Sequence, residues 1–168
     1  MTMYDKGWLY GVWYCGTSWQ KARLYGQYPG NYLKRVLSLF PDVPHDRLLQ
    51  PCAGTVQGPG VTLDCSPVFS PQVLASVTDM PFNNGSFDLV VIDPPYSKAD
   101  AQHYGVPLFS QRKGMAEIRR VLSVGGFMVW LDTKYPSYRR SEWNLVGLIG
   151  VITGFQRATR CCSIWERQ

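Results

Sequence analysis

The sequence predicts a single α/β domain with a mostly parallel sheet, closed at its C-terminal end by an antiparallel hairpin. Three observations carry this. Residues 87–93, FDLVVID, are a β-branched apolar run between an Asn-Asn-Gly turn and two prolines, the pattern of a central strand buried on both faces. Residues 111–132 pass from an amphipathic helical pattern through Gly125-Gly126 into a second apolar run, the order that a parallel crossover requires. Residues 145–152 and 158–165 are two more apolar runs joined by a short segment containing Gly154, as in an antiparallel pair.

Each element follows from local pattern. Residues 1–30 are rich in Trp and Tyr without a clean period. Residues 31–40 put Leu33, Val36, Leu37 and Phe40 on one helical face before Pro41 stops the helix. Residues 47–51 form a short apolar strand ending in the small-residue turn Cys52, Ala53, Gly54, Thr55, and residues 61–64 form a second strand ending in an acid. Residues 70–77 suit a helix capped by Ser70 with Pro71 in its first turn, followed by a short strand over 77–79. Residues 97–113 read as a long loop, residues 111–122 as a helix with Met115, Ile118, Val121 and Leu122 inward, and residues 127–132 as the next strand.

Composition bounds the function classes. The 168 residues suit one core, and 45% hydrophobic with 17% charged residues exclude a disordered or fibrous chain. No apolar stretch approaches the roughly 20 residues of a membrane span. The N-terminus lacks a basic head followed by a continuous apolar run, so no leader is expected. Five cysteines, odd in number, scattered and without a CxxC pair, encode neither a disulfide framework nor a metal site and suit a reducing cytoplasm. The net charge of +5 is uneven: residues 112–168 hold ten Lys/Arg against four Asp/Glu, and residues 1–111 hold seven against eight. A nucleic-acid partner would match that basic half.

Ligands of open α/β sheets sit at the carboxyl ends of the strands, where this chain places Gly54, Asp64, Asp79, Asp93 and Asp132. A small-residue loop after the first strand lets a ligand approach backbone N–H groups, and an acid ending the second accepts from ribose hydroxyls. The most specific signal is Asp93-Pro94-Pro95-Tyr96 directly after the central strand. It resembles the DPPY motif of S-adenosylmethionine-dependent amino-methyltransferases, which methylate the exocyclic nitrogen of adenine or cytosine in nucleic acid. The resemblance covers nearly the whole chain in one order: residues 28–33 before the first helix, 48–55 as the cofactor loop, 60–67 as the ribose strand, 79–82 as the adenine-binding turn, 86–96 as the catalytic strand, and 117–130 as the next helix and strand.

The resemblance implies a class I methyltransferase Rossmann-like fold that binds S-adenosylmethionine. It implies catalysis by Asp93, the Pro94 carbonyl, Pro95 and Tyr96. A conjugated amine is a poor nucleophile, and acceptors on both its protons localise the lone pair on nitrogen, while an aromatic ring stacks the base. It implies cofactor contacts from Tyr28, Pro29, Gln50, Pro51, Cys52, Ala53, Gly54, Thr55, Asp64, Cys65, Asp79 and Met80. Substrate contacts are expected from His103, Tyr104, Arg112, Lys113, Arg139 and Arg140, while Arg157 and Arg160 read as solvated charges by default and as phosphate contacts by hypothesis. The expected substrate is adenine N6 in DNA, with cytosine N4 behind it. RNA, a small molecule, or binding without transfer stay open, because no separate recognition region is visible. Specificity would then come from a second copy or a partner subunit.

Two departures from the family pattern stand out. Gln50 occupies the position of the usual acid, and residues 54–60 are too few for the usual crossover helix, so that helix is expected to be missing or reduced. The aromatic segment 1–30, with Lys21, Arg23 and Tyr28, is expected to cover the cofactor end instead.

Overall fold

The computed structural model describes residues 2–5, 7–16, 28–154 and 159–168. They form a nine-stranded sheet in the order β1-β2-β8-β9-β7-β6-β3-β4-β5. The strands are β1 (Thr2–Asp5), β2 (Trp8–Tyr14), β3 (Leu48–Pro51), β4 (Val61–Asp64), β5 (Val73–Leu74), β6 (Phe87–Ile92), β7 (Leu122–Asp132), β8 (Trp143–Ile152) and β9 (Arg160–Arg167). Neighbours from β5 to β7 run parallel, whereas β9 is antiparallel to both β7 and β8. The expected hairpin is therefore present, with β8 starting two residues earlier and ending at Ile152 as expected, and β9 shifted two residues later. The helices are α1 (Tyr32–Leu37), α2 (Lys98–His103) and α3 (Gln111–Val121). Among the described residues, no helix is long and apolar enough to cross a membrane.

The period of two along the central strand divides the core into two layers. Leu89 and Val91 of β6 join Val129, Leu131, Cys162 and Ile164 on the face covered by Tyr32 and Val36 of α1. Val90 and Ile92 join Met128, Trp130 and Trp165 on the face covered by Met115, Ile118 and Val121 of α3. Residues 133–142 cross this second face as an irregular strap, with the Tyr138 ring edge-on to Trp165 at 4.4 Å between centroids. On the first face Tyr32 donates to Cys162 Sγ at 3.4 Å and stacks obliquely on Tyr28 at 5.4 Å.

Four expectations are corrected. The first helix ends at Leu37 and not Phe40; its last residues tighten into i→i−3 bonds before Pro41, yet Phe40 still packs on Phe127 at 5.2 Å. Residues 70–77 are not helical, because Ser70 adopts a left-handed φ of 50° and Gln72 exchanges hydrogen bonds with Thr62, drawing Val73–Leu74 onto the edge of β4. Residues 77–79 form a turn closed by the Asp79 N–H to the Ser76 carbonyl, and not a strand. The 97–113 loop contains α2, whose cap Ser97 accepts from the Asp100 N–H. The segment without clean periodicity contains β1 and β2, and β2 lies parallel beside β8.

No helix lies between β3 and β4. Residues 52–60 instead fold tightly: Ala53 N–H donates to Leu63 O at 3.1 Å, Gln50 Nε2 to Pro59 O at 2.6 Å, and Gly54 N–H to Asp64 Oδ2 at 3.0 Å. Gly60 closes the link with φ +87°, where a Cβ would sit 2.7 Å from both Leu48 Cγ and the Leu48 carbonyl oxygen. Gly60→Ala should cost at least about 2 kcal/mol from backbone strain and collision combined. Gly16→Ala, where a Cβ meets nothing within 4 Å and φ is unexceptional, should stay within about 0.5 kcal/mol of wild type in the same urea titration. Equal midpoints for the two variants would show that the tight link does not constrain stability.

Candidate active site

The sheet reverses its strand order between β3 and β6, since β4 and β5 extend to one side and β7 and β9 to the other. Such a switch point opens a crevice at the carboxyl ends. A cleft of about 400 Å³ lies there. One part is lined by Cys52, Ala53 and Gly54 after β3, Asp64 and Cys65 after β4, and Ala75, Ser76 and Val77 after β5. The other part is lined by Asp93, Pro94, Pro95 and Tyr96 after β6, by Asp100, His103 and Tyr104 of the α2 segment, and by Arg160 at the start of β9.

Asp64 is 6% exposed, and its two oxygens accept from Gly54 N–H at 3.0 Å and Ser66 N–H at 2.9 Å. The carboxylate thus ties the β3 turn to the β4 turn. Each oxygen keeps a lone pair for a further donor in the cleft. Tyr28, fully packed between α1 and the sheet, donates to Val91 O at 3.0 Å and reaches the cleft from the N-terminal side. Burial first, then the neighbouring Asp93 and Cys52, push its hydroxyl well above the usual tyrosine range, so it stays protonated.

Asp93 is the electrostatic centre. Burial raises its carboxyl to about 6, against the opposing pull of Arg160 and of the Tyr96 hydrogen bond, and the Asp132 carboxylate adds a smaller upward push. The Tyr96 hydroxyl donates to Asp93 Oδ1, and Arg160 Nη1 lies 3.8 Å from Asp93 Oδ2. The Arg160 guanidinium also lies over the Tyr96 ring, 5.2 Å from its centroid. Asp132 ends the neighbouring strand fully buried, accepting from Thr133 N–H at 2.6 Å and from Gln111 and Trp130, and it does not line the cleft.

The structure gathers the four DPPY residues, half of the expected cofactor residues and two of the expected substrate residues. Tyr28, Cys52, Ala53, Gly54, Asp64, Cys65, His103 and Tyr104 line the cleft. Pro29, Gln50, Pro51 and Thr55 do not. The Pro29 carbonyl starts α1 by accepting the Tyr32 N–H, and Gln50 lies fully buried with its amide on Pro59. Asp79 and Met80 are also outside. Met80 is buried between the Glu117 carboxylate, which accepts its N–H at 2.8 Å, and Arg120, which donates to its carbonyl at 2.8 Å. Because the strand is Val73–Leu74 and not 77–79, Ser76 and Val77 occupy the position at the carboxyl end that Asp79 and Met80 were expected to hold.

Arg112 and Lys113 are exposed on the first turn of α3, away from the cleft lining. Arg139 and Arg140 precede Trp143, which pairs with Arg167 at the end of the sheet opposite to Asp93 and Arg160. They cannot border the crevice. Arg160, read as a solvated charge, is the cation that does line it; the signal was its place as the first residue of an antiparallel strand, beside the carboxyl end of β7. Lys21, Arg23 and Arg157 lie outside the described residues.

No family model and no curated protein match the sequence. Solved structures do match the fold. It is similar to TrmN from Thermus thermophilus at 15% identity and a TM-score of 0.51, covering 80% of this chain and 48% of that one. It is similar to yhhF from Escherichia coli, assigned as a methyltransferase, at 11% identity and 0.56, covering 91% and 96%. It is also similar to the N-methyltransferase NodS from Bradyrhizobium japonicum WM9 at 10% identity and 0.56, covering 80% and 93%. The chain spans about half the length of TrmN. The architecture is that of the class I methyltransferase fold, a mostly parallel Rossmann-like sheet with an antiparallel C-terminal hairpin.

A carboxyl that titrates near 6 in the folded chain and near 3.8 when unfolded weakens the fold as pH rises through that window, because the unfolded state then binds fewer protons than the native one. The cost is complete above pH 6 and is on the order of 3 kcal/mol. Asp93→Asn, which keeps an acceptor for Tyr96, should therefore be more stable than wild type at pH 7.5 and lose that advantage below pH 4. Thermal melts at both pH values check this; an advantage equal at both would contradict the buried-charge account.

Proposed function

We propose that this chain is an S-adenosylmethionine-dependent methyltransferase acting on an exocyclic amine of a nucleic-acid base, with adenine N6 in DNA first and cytosine N4 second among substrates to test. One observation carries the reading: the buried Asp93 carboxylate, Pro94 and the Tyr96 ring line one cleft at the carboxyl end of the central strand, together with the Asp64–Gly54 tie. The cleft's size falls within the roughly 300–1,000 Å³ usual for a small ligand. Residues 1–168 would act as one domain, with the N-terminal segment contributing Tyr28 to the cofactor end.

The residues present fit the cofactor. Asp64 retains lone pairs for ribose hydroxyls, the small residues Ala53 and Gly54 leave room beside them, and Val56, Phe69 and Ala75 give an apolar wall for an adenine ring. Bound there, S-adenosylmethionine supplies an electrophilic sulfonium methyl group. The residues of this chain then do the rest. The substrate amine replaces the Tyr96 hydroxyl on Asp93 and gives its second proton to the Pro94 carbonyl as a hydrogen bond. Tyr96 stacks the base. As the new N–C bond forms and the methyl–sulfur bond breaks, positive charge grows on nitrogen, and Asp93 strengthens its hydrogen bond before accepting the proton. A carboxyl raised to about 6 is a better acceptor than an ordinary one and is still mostly ionised at neutral pH.

A second reading is favoured by one finding. Among the described residues, Arg112, Lys113, Arg139 and Arg140 do not line the cleft, and Arg160 is the one Lys or Arg that does. A short RNA segment or a free amine-bearing small molecule would need no track of phosphate contacts there.

The decisive experiment is mass spectrometry of nucleosides from DNA and RNA of cells expressing wild type or Asp93→Ala, together with assays on free nucleosides. Methylated base amine in DNA only with wild type supports the first reading; the same product in RNA or on nucleosides alone supports the second. No transfer to any amine would overturn both. In the purified enzyme, kcat/KM should fall on the acid side with a midpoint near 6. Asp64→Asn should weaken cofactor binding by roughly 10-fold in calorimetry, the loss of one charged acceptor. Wild-type affinity in a folded Asp64→Asn would remove Asp64 from the cofactor site.

A further inference from the structure

Among the described residues, Arg160 is the one Lys or Arg that lines the cleft. It opens β9, which runs antiparallel to β7 and so begins where the parallel strands end. Its side chain is 29% exposed, and its guanidinium meets both functional groups of the DPPY turn: Nη1 is 3.8 Å from Asp93 Oδ2, and Cζ is 5.2 Å from the centre of the Tyr96 ring. The Tyr96 hydroxyl completes the arrangement by donating to the other oxygen of Asp93. Cation, ring and carboxylate therefore hold one another.

The remaining groups that face Asp93 do not compensate for that cation. Asp132, from the end of β7, repels the Asp93 charge. Tyr28 and Tyr32, from the α1 side, and Cys52, after β3, are all pushed well above their ordinary ranges by burial and stay neutral at neutral pH. When a substrate amine takes the place of the Tyr96 hydroxyl, the carboxylate exchanges one of its two protein partners for a neutral N–H donor. Arg160 is then the one left. A guanidinium over one face of Tyr96 also leaves only the opposite face for a flat ring to stack on.

We propose that Arg160 is a positioning residue that keeps Asp93 ionised after Tyr96 lets go of it and fixes the Tyr96 ring with one face toward the substrate. The substrate part rests on the methyltransferase reading given above; the effect on Asp93 does not. Carboxylate 13C NMR of aspartate-labelled wild type, Arg160→Met and Arg160→Lys tests it directly. In wild type Asp93 should titrate near 6. Arg160→Met should move that midpoint up by roughly one pH unit or more, the usual effect of losing an opposite charge at this range. Arg160→Lys, which restores a charge without a planar group, should leave the midpoint near wild type. Arg160→Gln serves if the Met variant does not fold.

In the transfer assay, the acid limb of the rate profile should move up in Arg160→Met by the same amount. Arg160→Lys should keep the limb in place but raise KM for the substrate several-fold, through loss of the flat contact with Tyr96. An Asp93 midpoint that is the same in wild type and Arg160→Met overturns the proposal whether or not the enzyme transfers methyl groups. A midpoint that moves while wild type methylates no amine upholds Arg160's hold on Asp93 and overturns the functional reading instead.

Discussion

The short connection between β3 and β4 is the constraint on which the rest of the architecture depends. Residues 52–60 must return the chain to the start of a parallel neighbour without the helix that such a crossover normally carries. The link is held by hydrogen bonds at Ala53, Gly54, Val56 and Pro59. The Gln50 amide holds Pro59, the Leu63 carbonyl holds Ala53, and Gly60 passes where no Cβ fits above Leu48. Asp64 then takes the Gly54 N–H, a group that a helix N-terminus would otherwise organise. Tyr28 and Tyr32 are each buried against the sheet and each tied to it by the hydroxyl.

The same economy of elements concentrates charge at the DPPY turn. Asp93 sits at the end of the central strand β6, buried along almost its whole length, and burial outweighs Arg160 and Tyr96 together in setting its titration. The fold thus keeps an ionised group where ionisation costs stability. Such a cost is common at sites of proton transfer and rare at purely structural acids, which are held below the usual range. Asp88 is the contrast within this molecule. Two bonds from Arg47 and one from Ser123 hold its carboxyl below the ordinary value, at the opposite end of β6.

What was legible in the sequence follows from which signals are local. The central strand, the helix and strand around Gly125-Gly126 and the closing hairpin were read from runs that pack on both faces, but the glycines do not separate helix from strand: β7 begins at Leu122, directly after α3, and runs through both of them. The DPPY residues were legible because strand and motif are contiguous. Asp79 and Met80 were not placed correctly, since a two-residue strand set by the Gln72–Thr62 exchange leaves no periodicity to read. Neither could composition show that Gln50 is a structural brace behind the cleft. The strands of the aromatic N-terminal segment were hidden for another reason: Trp8, Tyr10, Val12 and Tyr14 are apolar residues on the exposed side, so the usual alternation of apolar and polar is lost.

The basic half of the chain shows how far a count differs from a field. Ten Lys and Arg in residues 112–168 suggested a positive rim around the substrate. The topology distributes them instead: Arg120 braces the 80–84 turn, Arg119 and Arg167 lie at the far ends of their elements, and Arg139 with Arg140 sits at the opposite pole of the sheet. One reversal of strand direction explains the difference. In a wholly parallel sheet every strand begins at the pole away from the site, so residues near strand starts are structural. An antiparallel strand begins at the site itself. Of all the basic residues on the C-terminal hairpin that the structure describes, only the one at the start of β9 can therefore reach the DPPY turn, and that residue is Arg160.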